Sequence, residues 1–62
     1  MEQVETITFE DLGTKSEAVA IVRRDVDKVA LCLSILVDGD IEVFMKREDA
    51  RKLLEALRAA LT

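Results

Sequence analysis

Cys32 and Ser34 are the side chains with nucleophile chemistry in the most apolar stretch of the chain, "VALCLSILV". A thiol or hydroxyl attacks only when a neighbouring base or a depressed pKa activates it. The 62-residue sequence contains no histidine and no tyrosine, and nothing near either residue reads as an activating base. Cys32 therefore reads as a small buried hydrophobe. As the single cysteine it excludes an internal disulfide, and a reducing cytoplasm disfavours a cross-link between copies. Asp38, Asp40 and Glu42 alternate like the opening of a calcium loop, but the rest of such a loop is missing. A hairpin turn explains Asp38-Gly39 better. Without histidine, zinc sites built from the usual Cys/His sets are excluded. The expectation is a protein that is not an enzyme, with no catalytic residue, no metal and no cofactor.

The bases offer a second kind of chemistry. Arg23, Arg24, Lys28, Lys46 and Arg47 are expected to gather at one end of a sheet, beside a helix N-terminus whose free N–H groups favour an anion. They are a candidate contact for an anion or a nucleic acid. Asp25, Asp27, Glu48 and Asp49 lie among them, which describes a solvated, salt-bridged end. The formal net charge is −4. The acidity is concentrated in residues 1–20, where five acids meet one lysine. An acidic total argues against broad binding to phosphates.

These side chains must be positioned by few elements. At 62 residues the chain makes one small domain, residues 1–62, near the size below which a single core rarely supplies more than ~3–5 kcal/mol. With disulfide and zinc excluded, association is the remaining source of stability. Half of the residues are hydrophobic and 35% are charged, which is a globular composition. No run is long enough to span a bilayer, and "MEQVETITFEDL" lacks the pattern of a signal peptide. A soluble cytoplasmic protein is expected.

"VETITFEDL", "AVAIVRR", "VALCLSILV" and "DIEVFM" read as four strands, with turns at "GTKSE", "DVDK" and Asp38-Gly39. The remainder changes period. Ala50, Leu53, Leu54, Leu57 and Leu61 fall at helical spacing, among strong helix formers. Glu48–Lys52 and Arg51–Glu55 are opposite charges at i,i+4. Lys46 stands at the N-cap where a capping side chain is usual, and Glu48 and Asp49 compensate at the positive end of the dipole. The fold class expected is α+β: a four-stranded antiparallel meander with one C-terminal helix packed on one face, ββββα.

Register decides the faces. A three-residue loop at Val37-Asp38-Gly39 would set Ile35 opposite Ile41, Leu33 opposite Val43 and Leu31 opposite Met45, with Gly39 in the left-handed position. A similar loop at Asp25-Val26-Asp27 would set Ile21 opposite Leu31 and Val19 opposite Leu33. The core face would then be Val19, Ile21, Val29, Leu31, Leu33, Ile35, Ile41, Val43 and Met45, covered by the helix. The opposite face would be Ala18, Ala20, Val22, Ala30, Cys32, Ser34, Leu36 and Phe44, small and mostly apolar. One short helix cannot cover both, so this second face is the expected interface of a homodimer or with a protein partner. The alternative is that long edge side chains fold over it.

The order β-β-β-β-α is similar to that of the Whirly and positive-cofactor-type single-strand DNA binders, which dimerise and lay nucleic acid on a sheet. That resemblance implies a nucleic-acid-binding dimer. Such surfaces use stacking aromatics and a positive groove, and Phe44 is the single aromatic expected on the second face. The closing "VFMKREDARKLLEAL" resembles a strand–turn–helix ending common among small bacterial and phage proteins. The leading expectation is a non-enzymatic homo-oligomeric protein-binding module, such as an adaptor, regulator or inhibitor carried by a mobile element. Its specificity would lie on the acidic first strand and the turns. A single-stranded nucleic-acid binder is the alternative.

Overall fold

A computed structural model describes residues 1–62. Strands β1 (Glu2–Asp11), β2 (Ser16–Arg24), β3 (Lys28–Ile35) and β4 (Gly39–Lys46) form an antiparallel sheet in that order, and helix α1 (Arg47–Ala60) follows without a loop. This is the expected ββββα meander.

The β3–β4 register keeps the expected parity but moves by one pair. Ile35 faces Gly39, Leu33 faces Ile41, Leu31 faces Val43 and Val29 faces Met45. The turn is Leu36-Val37-Asp38, where the Asp38 N–H donates to the Ile35 carbonyl at 3.1 Å. Gly39 leaves the turn at φ 86°, as its expected left-handed role requires.

The β2–β3 register differs in parity. Arg24 lies opposite Val29, Val22 opposite Leu31, Ala20 opposite Leu33 and Ala18 opposite Ile35. The Asp25 N–H donates to the Lys28 carbonyl at 2.9 Å, so only Val26 and Asp27 remain at the tip. The Asp25 carboxylate steadies this turn, accepting from the Val26 N–H at 2.8 Å and facing the Lys28 Nζ at 3.8 Å. A shift of one residue turns every side chain of a strand over. Ala18, Ala20 and Val22 therefore join the large aliphatics, and Val19 and Ile21 leave them. The eight residues expected to share the second face do not: Ala30, Cys32, Ser34 and Phe44 lie on it, Ala18, Ala20 and Val22 lie on the other, and Leu36 is in a turn.

Strand β1 pairs Ile7 with Ala20 and Phe9 with Ala18, and a bulge at Val4 interrupts its register. Its turn is closed by Asp11, whose carboxylate accepts from the Thr14 N–H at 2.9 Å and the Thr14 hydroxyl at 2.7 Å. Lys15 takes φ 64° at the end of this turn. The Thr14 hydroxyl, with the Thr14 and Gly13 N–H groups, holds the Asp11 carboxyl below its ordinary value against a smaller desolvation effect. A depressed folded-state pKa contributes stability that is present above the ordinary carboxylate range and is lost as pH falls through the depressed value. Asp11→Ala is therefore less stable than the parent at neutral pH, and the two converge in acid. Urea titrations at pH 7 and pH 3 check this, and a constant gap at both would contradict it.

Helix α1 opens on Lys46 with no side-chain cap, as expected, and Glu48 and Asp49 occupy its first turn. Its ion pairs are Asp49–Lys52 at 3.6 Å and Glu55–Arg58 at 3.7 Å, both at i,i+3, in place of the two i,i+4 pairs expected. The helix stands on the face shared by Arg24 and Val29, meeting mainly β3 and β4. No residue of it is buried. The covered core expected under the leucine stripe is therefore absent: only Ala18 and Ala30 are buried in the whole chain. The Cα radius of gyration is 12.6 Å, against roughly 10.6 Å for a compact domain of this length.

Candidate functional site: two unlike sheet faces

Residues directly opposite in an antiparallel pair point to the same side, so the pairings sort the sheet into two faces. One carries Ile7, Phe9, Ala18, Ala20, Val22, Leu31, Leu33, Ile35, Ile41, Val43 and the helix. The other carries Thr6, Thr8, Val19, Ile21, Arg23, Ala30, Cys32, Ser34, Glu42 and Phe44.

The second face covers itself. Arg23 reaches from β2 across β3 to Glu42 on β4, with Nη1 at 3.3 Å from Oε2. Ala30 lies opposite Arg23 and Phe44, and Cys32 lies opposite Glu42. Their small side chains leave the space this ion pair crosses, and Ala30 is 0% exposed beneath it. The long side chain that crosses this face is Arg23 of an inner strand, and not Arg24 or Lys46, the edge side chains expected to fold over it; Arg24 lies on the helix-bearing face.

The helix-bearing face is open. Ile7, Phe9, Leu33, Ile41 and Val43 are all exposed there, whereas Phe44 is the one large exposed hydrophobic on a strand of the other face. Leu53, Leu54 and Leu57 of the helix and Leu61 at its C-cap are exposed too. Scattered exposed aliphatics are ordinary, and this set differs in lying together on one face. The eight residues expected at an interface are thus split between faces, and the open apolar surface lies on the helix side. What hid this was the β2–β3 turn, which has no glycine to mark its length.

Four of the five bases lie at one end of the sheet, in the rows Arg24–Val29, Arg23–Ala30 and Lys28–Lys46, and Arg47 opens the helix beside them. They are divided between faces, and three already have acidic partners. Arg24 holds Glu2 through two bonds, Nε–Oε1 at 2.9 Å and Nη2–Oε2 at 3.3 Å. That hydrogen bonding, and then the charge of Arg24, keeps the Glu2 carboxyl below its usual range and raises Arg24 in turn. Arg23 pairs with Glu42 and Lys28 with Asp25. Lys46 and Arg47 are in no ion pair. A shallow cleft of about 230 Å³ lies at the helix base, lined by Arg24, Val29, Arg47, Ala50, Arg51 and Leu54.

No helix is long and apolar enough to cross a membrane. No family model matches this chain, and no curated protein or solved structure matches it.

Proposed function

We propose that the chain is a non-enzymatic, homo-oligomeric protein-binding module, an adaptor, regulator or inhibitor, acting in a reducing compartment such as the cytoplasm, where a lone thiol persists. The supporting observation is the open apolar face. A compact 6.9 kDa monomer exposes roughly 4,000 Å², whereas this chain exposes 4951 Å². Water contact with that extra surface opposes a lone monomer at ~25 cal/mol per Å² of apolar area. A recognition surface for another protein would lie outside the covered patch, on the acidic outer strand and the turns.

Light scattering at micromolar concentration should return at least twice 6.9 kDa. A strict monomer would end this reading. The bases do not favour the nucleic-acid alternative, because three of the five are neutralised by partners at hand. Labelled single-stranded oligonucleotide should stay unshifted at low salt. Salt-sensitive binding lost on Arg24→Glu with Lys46→Glu would replace the protein-binding reading with that alternative.

A further inference from the structure

We infer that the helix-bearing face associates with the same face of a second copy about a two-fold axis, and that the Arg23–Glu42 face is left outward. This rests on the homo-oligomer reading and names the surface that carries it.

The area fits. The surface excess is about 950 Å² over a compact monomer of this mass, and a standard interface takes about 800 Å² from each partner. The relief also fits. The helix stands over β3 and β4 as a ridge. Beside it, the β1–β2 half of the face is lower, with the small Ala18, already buried, and the half-buried Ala20 beside the exposed Ile7 and Phe9. An isologous contact must be self-complementary, and a ridge beside a groove meets that requirement when one copy is turned by a half rotation. Leu57 then enters the partner's groove and loses the exposure, 57%, that it has alone. Charge agrees with this seating. Glu5 shares the groove face on the outer strand and Arg51 flanks the ridge, and neither has an ion-pair partner within its own chain.

The test compares three exposed or half-exposed positions by light scattering, with circular dichroism to follow folding. Leu57→Glu and Ile41→Glu should halve the mass and weaken association at least a hundredfold. Ser34→Glu, on the outward face, should leave the mass unchanged. Dimeric Leu57→Glu and Ile41→Glu proteins would overturn the inference, whether Ser34→Glu dissociates or all three stay paired through an edge. A monomeric wild type would instead sink the homo-oligomer reading itself. Maleimide labelling of the folded, associated Ile41→Cys protein decides the matter without dissociating it. Ile41 is 64% exposed in the lone chain and Cys32 is half-buried, so position 41 should react more slowly than Cys32 when the helix-bearing face is covered by a second copy. Faster reaction at position 41 would place the interface on the wrong side.

Discussion

On the proposal that a second copy covers the helix-bearing face and completes folding, tenfold dilution should lower the unfolding temperature by about 5 °C. Only two residues of the lone chain, both alanines, are fully buried. The ordering of 62 residues costs on the order of 1–2 kcal/mol per residue in backbone entropy alone, and in the proposed dimer part of the compensating burial would come from surface that a lone chain leaves wet. For a dimer that unfolds to two free chains, each decade of concentration shifts the balance by about 1.4 kcal/mol, RT ln 10. Divided by an unfolding entropy of ~2.1 cal/mol/K per residue over both chains, this gives the 5 °C. Circular dichroism melts at two concentrations a hundredfold apart should therefore differ by about 10 °C. Coincident melts would mean that the chain is stable alone, and the open face would then need another account.

Ala30→Leu is the most damaging single change expected on the outward face, costing about 1–3 kcal/mol by overpacking. Ala30 has no exposed surface, and it lies between Arg23 and Phe44 on the neighbouring strands. A leucine there occupies the space through which Arg23 reaches Glu42, so the ion pair opens as the side chain is accommodated. The loss would come mainly from displaced packing, since an ion pair this exposed contributes little by itself. Urea titration should show a lower midpoint with an unchanged slope. A neutral or stabilised Ala30→Leu would show that the Arg23 stem does not close this face. Ser34→Leu, two residues along the same strand face but not beneath the Arg23–Glu42 pair, should cost far less and serves as the control.

Elements were easier to read from residues than faces were. The four strands and the helix follow from pattern: alternation through "TITFED", a short β-branched apolar run in "AVAIV", then leucines at helical spacing after Lys46. Gly39 announced its own turn, so the β3–β4 parity came out correctly although the tip moved to Leu36-Val37-Asp38. Asp25-Val26-Asp27-Lys28 carries no such marker. Its length is set by the Asp25 N–H bonding the Lys28 carbonyl, a backbone choice that side-chain patterning does not encode. Both alternatives bury aliphatics, because β2 is apolar on both sides, so hydrophobic pattern could not arbitrate. The burial expected under the helix was missed for a different reason. An amphipathic stripe states that a helix needs a cover, and not whether the cover belongs to the same chain.

The bulge at Val4 bears on how far assembly can proceed. An open sheet has two unpaired edges, and each can accept another strand, which offers a fresh edge in turn. Here the β1 edge is kinked at Val4 and carries Glu2, Glu5, Glu10 and Asp11, while the β4 edge carries Asp40, Glu42 and Lys46. Kinks and charges of this sort discourage continuation along the hydrogen-bonding direction. A face, by contrast, is consumed when it is used. If a second copy covers the helix-bearing face as proposed, guarded edges would let assembly count to a small number and stop, keeping a discrete particle where an apolar sheet of this exposure would otherwise grow into a fibre.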